Sequence, residues 1–336
     1  MKPIFTITID TESDDAWAKP ETIKLSNLKD LIKFQLLCEK HRIIPTYLMA
    51  YEYVKCEKAV KFFKEKWDKG KCEIGMHLHV WSTPPFNEKT KVDMHWLKAY
   101  QFELPDDLFY QKANNLREAI FNAFGKYPTS HRAGRWGIDQ RTIDWLIDRN
   151  FLVDTTIVPF RSFESSIGKF KPGPSFEKFN TNPFFWRSKK TNNFLLEIPV
   201  TVIKRKFIIF DILKSFIGNE IFKKNKFLSK LSSKIEDVTI FRLSPFISKK
   251  KYSKIIFRSV TNGQKVLNLM FHSSELTFKQ SPCTRNKENH KLMWDNINHI
   301  FKSVLDYGLI SKGVSECGCL IKTNMDFPKL KSPLDK

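Results

Sequence analysis

The sequence predicts an α/β fold built on parallel strands, and three observations carry that prediction. Short β-branched and aromatic runs alternate with amphipathic segments of helical period, the pattern of strands joined by crossover helices. Chemically active residues (Asp10 and Glu12, His77 and His79, Arg132, Asp154, His272) fall at or near the ends of those runs. Parallel α/β folds place their active groups at the carboxyl ends of strands. The chain also has 336 residues, 41% of them hydrophobic, enough for one large domain or two modest ones.

Pro3–Ile9 alternates Ile, Thr and Phe as a strand does, and it stops at the acidic run Asp10-Thr11-Glu12-Ser13-Asp14-Asp15. Ser26 is the expected N-cap of a helix to about Lys40, and Ile43–Ala50 is the second strand. Glu57–Lys69 reads as a basic amphipathic helix closed by Gly70. Glu73–Val80 is the third strand, ahead of a Pro-rich, charged loop over 82–104. Pro105 opens a helix that Gly125 ends, Thr129–Gly134 is a short strand, and Gln140–Arg149 is helical. Phe151–Val158, Phe194–Val202 and Val266–Phe271 are further strands, and His290–Tyr307 is the closing helix. The domain is expected to span 1–322, with a tail over 323–336.

Fourteen per cent aromatic content, including 30 Phe, excludes a disordered chain. The formal net charge of +21 points to an anionic partner or surface. About half of it lies in 203–258, where 15 Lys/Arg face 4 Asp/Glu, a net of +11. That segment interrupts the strand pattern as a basic insertion of one or two amphipathic helices. It is either a solvated lid or a clamp on an anionic saccharide at the inner membrane surface. No nucleic-acid recognition motif accompanies the charge, so no nucleic acid is expected. Six scattered cysteines show no disulfide framework, no signal-peptide pattern opens the chain, and no apolar run is long enough to span a bilayer. A cytoplasmic location is the expectation, peripheral to the membrane if the insertion binds it.

In Cys72–Trp81, strand alternation turns His77 and His79 to one side. A lone histidine in an apolar run is more often a satisfied core residue, but here a carboxylate pair, an arginine and a third histidine end other strands. Two carboxylates with two or three histidines suit a divalent ion that activates water. A neighbouring carboxylate takes the proton, an arginine steadies that carboxylate, and a histidine opposite protonates a leaving amine. The chemistry favoured is metal-assisted hydrolysis of an amide or ester.

Four motifs occur in order: Thr8-Ile9-Asp10-Thr11-Glu12, Glu73-Ile74-Gly75-Met76-His77, Arg132-Ala133-Gly134-Arg135-Trp136-Gly137 and Leu267–His272. Together they resemble the polysaccharide deacetylase (NodB-like) family, carbohydrate esterase family four. The strings His77-Leu78-His79-Val80-Trp81 and Phe271-His272-Ser273-Ser274-Glu275-Leu276 look most like its WalW-type branch of lipopolysaccharide biosynthesis. The resemblance implies a distorted (β/α) barrel with fewer than eight strands. It implies a sugar N-deacetylase with a divalent metal, usually Zn2+, and, as partner, an acetylated sugar, either free or lipid- or nucleotide-linked. On that mapping Asp10 is the general base, Arg132 positions it, His77 is a metal ligand and His272 is the general acid.

Two departures stand out. Thr11 follows Asp10 where the family has adjacent aspartates, which makes Glu12 the substitute ligand. Trp81 fills the slot of the family's second histidine, which makes His79 its replacement. If His79 faces the core, a metal-independent amide hydrolase of the same fold or a catalytically silent glycan-binding protein is the alternative. Trp81 and Trp136 are expected to wall the sugar pocket. Asp154 matches the fourth family motif loosely, and Glu197 and Glu275 complete the substrate-side candidates, with orienting His272 as the testable role for Glu275.

Overall fold

Ile4–Thr11 forms the first strand, β1, and all eight of its residues are buried. A strand covered on both faces belongs inside a parallel sheet, and Ile, Thr and Phe suit its pleat. The computed structural model describes residues 2–87, 91–204 and 238–324. It continues with β2 (Pro45–Met49), β3 (Glu73–Leu78), β4 (Ser130–Ala133) and β5 (Val153–Asp154). Then come β6 (Phe184–Arg187), β7 (Phe194–Glu197), β8 (Val202–Lys204), β9 (Val238–Ile240) and β10 (Val266–His272).

The main sheet has the order β10-β1-β2-β3-β4-β5-β7-β6. Its first seven members run parallel, and β6 adds to β7 as an antiparallel edge. Helices Leu28–Lys40, Glu57–Asp68, Asp106–Phe124 and Gln140–Asp148 make the crossovers between successive parallel strands up to β5. The sheet curls into a distorted (β/α) half-barrel. The chain beyond β7 helps bridge the open side: Thr201 N donates to Asn268 O at 3.2 Å, and Asn268 N donates to Thr201 Oγ1 at 2.8 Å. Phe241 N in turn donates to Thr201 O at 2.7 Å, and Met270 N donates to Phe241 O at 3.2 Å.

The amino-terminal ends of the strands are sealed by the carboxy-terminal helix Val314–Asn324. Buried Glu73 anchors it, accepting from Ser315 N at 2.9 Å, Ser315 Oγ at 2.8 Å and Ser130 Oγ at 2.5 Å. The opposite ends of the strands are thereby left to form the cavity described below.

Several expected elements differ. Phe151–Val158 is a strand only over Val153–Asp154, because Thr155 and Thr156 turn their hydroxyls to bond Ile198 O and Asp154. Phe194–Val202 divides into β7 and β8, separated by Ile198–Thr201. Ser26 does not cap the first helix. Its N–H and Oγ–H both donate to Asp14 Oδ2, at 2.8 and 2.7 Å, and the cap position falls to Asn27. The closing helix begins earlier than expected and runs Lys287–Asp306. Of the basic insertion, 205–237 lies outside the described residues, as does the tail from 325. The remainder of the insertion includes β9 and most of a helix, Lys249–Thr261, capped by Ser248. No helix among the described residues is long and apolar enough to cross a membrane.

Candidate active site

Parallel pairing brings the strand ends into register. Asp10 lies opposite His272 on one side and Leu48 on the other, and His77 lies opposite Arg132. Where these strands end, a cavity of about 390 Å³ opens, lined by Asp10, Glu12, His77, His79 and His272 among others.

Arg132 is the scaffold of the site. It is wholly buried, and each nitrogen has a partner: Nη1 donates to Asp10 Oδ1 at 2.6 Å, Nη2 to Thr8 Oγ1 at 2.6 Å, and Nε to Thr155 O at 2.9 Å. Burial alone pushes the Asp10 carboxyl up, but the Arg132 guanidinium beside it, with His77 and His272 as smaller influences, holds it down at about 2. Asp10 is therefore ionised at neutral pH. Its Oδ2 is 3.5 Å from His272 Nε2 and 4.0 Å from His77 Nε2.

His77 and His79 turn to the same side and meet Glu12. Glu12 Oε2 is 3.3 Å from His79 Nε2 and 3.9 Å from His77 Nε2. One ligand atom from each of the three lies within 4.8 Å of the others. His77 Nδ1 is 2.9 Å from Arg132 O and donates to it, which fixes the tautomer and leaves Nε2 with its lone pair free. Burial drives His77 down to about 4 and His79 well below its ordinary value, so both imidazoles are neutral. Burial and the charges of Asp10, Glu52 and Glu275 push the Glu12 carboxyl well up. A buried acid that cannot comfortably ionise, facing two neutral imidazoles, is a donor set that a divalent cation satisfies. These residues fit a metal ion.

Backbone positions are held as tightly. Glu12 O accepts from Asn27 Nδ2 at 2.9 Å and from Ser273 Oγ at 3.1 Å. At Gly134 a Cβ would stand 2.3 Å from Leu78 O and 2.6 Å from His79 Cδ2. Only glycine lets the loop after β4 pack on the histidine segment this closely.

The other candidates divide. Trp81 and Trp136 line the cavity. Trp81 stacks on His79 with centroids 4.5 Å apart, and Trp136 stacks near Phe163 at 5.9 Å. Glu275 stands behind His272, accepting from its backbone N–H at 2.9 Å and pairing with Arg242. Although burial raises it, Arg242 and His272 hold the Glu275 carboxyl down at about 2. Asp154 and Glu197 do not reach the cavity: both are fully buried. Asp154 receives His131 Nδ1–H at 2.7 Å, and Glu197 accepts from Ile157 N at 2.9 Å and Trp186 Nε1 at 3.0 Å. Their partners are internal, so the substrate-side expectation for these two is corrected to a structural one.

Trp17, Lys98, Tyr100, Arg135, Phe163 and Arg242 also line the cavity and were not expected there. Trp17 sets its edge against His272 at 4.5 Å. They come from loops whose spacing carries no period, and an aromatic or a cation in a loop is not by itself a signal.

Fold and site together define a half-barrel protein with a buried Glu/His/His group at the carboxyl ends of its strands. No family model matches the sequence, and no curated protein matches it. Among solved structures, it is similar to a putative polysaccharide deacetylase from Mycobacterium smegmatis, with a TM-score of 0.55 and 12% identity over 98% of this chain and 94% of that one. It is also similar to a 4-alpha-glucanotransferase from Thermococcus litoralis, with a TM-score of 0.50 and 9% identity over 94% of this chain and 38% of that one. At these identities the likeness is one of fold.

Proposed function

We propose that this protein is a metal-dependent hydrolase that removes an N-acetyl group from a sugar. The observation that carries the reading is the placement of Glu12, His77 and His79 beside an Asp10 already clamped by Arg132. A shared fold with a putative polysaccharide deacetylase supports it. Zn2+ is the ion proposed, since two neutral imidazoles and one carboxylate with open positions form a catalytic zinc set. Glu12, His77 and His79 would hold it, and it would supply a more acidic water and a polarised amide carbonyl, which suits a base as weak as Asp10.

Asp10 is the general base: Arg132 occupies Oδ1, so Oδ2 is the oxygen left to take a proton from water. His272, with Nε2 3.5 Å from Oδ2, is the group that delivers a proton to the leaving amine. Glu275 fixes the turn that carries His272, and Arg132 acts by holding Asp10 in one rotamer. Trp81 and Trp136 would wall the cavity that receives the sugar. The proposed setting is cell-surface polysaccharide or lipopolysaccharide synthesis on the cytoplasmic side, with the acetylated sugar carried on a lipid or nucleotide. The net charge of +21 supports contact with an anionic membrane surface.

Acetate release from N-acetylated saccharides by zinc-loaded protein tests the reading. Asp10→Asn and His272→Ala should each lower the rate by about 100-fold or more. Unchanged rates in both variants would place the chemistry elsewhere.

A further inference from the structure

The charges around the cavity do not balance if the ligand is a neutral sugar. Its acidic lining residues are Asp10 and Glu12. Asp10 is matched by Arg132, and Glu12 belongs to the proposed metal group. Three cations line the same cavity: Lys98, Arg135 and Arg242. Arg242 is matched by Glu275. Lys98 and Arg135 have no carboxylate partner among the described residues.

Arg135 is held in place by neutral groups. Its Nη2 donates to Ser166 Oγ at 3.0 Å and Ile167 O at 3.1 Å, and the guanidinium lies 4.3 Å over the Tyr100 ring. Its Nη1 has no hydrogen-bond partner. Glu103 lies close enough to be felt, but its oxygens already accept four backbone N–H groups, from Tyr100, Lys169, Phe170 and Lys171. Immediately before Arg135, the chain leaves β4 through Gly134, which packs on Leu78 and His79. The free cation thus sits beside the proposed metal ligands.

The backbone is strained at these same places. Lys98, Arg135 and Trp136 have φ of 60°, 53° and 65°, a region that side chains with a Cβ avoid. Each such residue is costly and persists only where the surroundings demand it. All three line this one cavity.

We propose that Arg135 and Lys98 form a subsite for a negatively charged substituent, a phosphate or a carboxylate, on the N-acetylated sugar. The substrate class is then an anionic saccharide. This rests on the hydrolase reading for the acetyl group, but the binding preference stands or falls separately. A guanidinium offers paired donors to either anion, and the ammonium of Lys98 adds a second charge.

Calorimetric titration of the zinc-loaded full-length protein tests it, with N-acetylglucosamine, its 1-phosphate, its 6-phosphate and N-acetylmuramic acid as probes. At least one anionic sugar should bind about tenfold or more tightly than the neutral one. Arg135→Gln and Lys98→Gln should each shrink that preference, and the double variant should abolish it with its zinc content intact. The phosphorylated sugars against the muramic acid decide which anion the subsite takes. Lys98 is exposed, so its variant reports even if Arg135→Gln folds poorly. Equal binding of neutral and anionic sugars, or a preference that survives the double variant, overturns the subsite. Should the neutral sugar release acetate with no anionic preference, the hydrolase reading survives and the subsite fails. An anionic preference lost in the variants, with no acetate from any sugar, supports the subsite and contradicts the hydrolase.

Discussion

Arg132 Nη1 stands 2.6 Å from Asp10 Oδ1, and both side chains are almost completely shielded from solvent. One oxygen of Asp10 is thereby committed, and the other is aimed between His77 and His272. The pair ties β4 to β1 across two intervening strands, so fold and site depend on the same contact.

Removing Arg132 should therefore cost stability as well as activity. Arg132→Met leaves a buried carboxylate without its partner, an event worth about 3–5 kcal/mol. Denaturant unfolding should show that loss, and Asp10→Asn in the same background should recover part of it. If Arg132→Met unfolds at the wild-type midpoint, the pair does not hold the barrel together.

Glu275 makes a prediction about acid. Its folded carboxyl lies at about 2, below its ordinary 4.5, because Arg242 and His272 outweigh burial. A depressed carboxylate stabilises the fold above its unfolded value and stops doing so as pH falls through the folded one. Stability should drop by roughly 3 kcal/mol between pH 4.5 and 2 on this account. Melting curves of Glu275→Gln should be flatter across that window, and a slope as steep as wild type would contradict the assignment.

Gly134 has no room for a methyl group. A Cβ there meets Leu78 O at 2.3 Å, and the neighbour is backbone, which cannot swing aside. Gly134→Ala should destabilise the protein by about 1–3 kcal/mol and displace His79, so zinc affinity should fall with it. Wild-type zinc binding in this variant would show that the loop after β4 does not set the histidine.

Much of the fold was legible because its strands are short, apolar and punctuated by helices of recognisable period. Asp10, Glu12, His77, His79, Arg132 and His272 could be picked out because ionisable groups at the ends of buried runs are costly unless used or paired. Glu197 and Asp154 met the same criterion and were misread. A sequence does not reveal that Trp186 Nε1 and the Ile157 N–H satisfy Glu197, or that His131 satisfies Asp154. Partners at those separations depend on how β5, β6 and β7 pair, and the antiparallel β6 had no clear signal. Trp17 and Lys98 were invisible for a different reason, and Arg135 stood inside a quoted motif with no role of its own: loops place them, and loop direction is set by tertiary contacts such as Ser166 against Arg135.

The most direct test is elemental analysis of the purified protein after zinc resupply, beside Glu12→Gln, His77→Ala and His79→Ala. The wild-type chain should hold roughly one zinc ion, and all three variants should be strongly depleted. A wild type that holds no metal, or variants that keep a full complement, would contradict it.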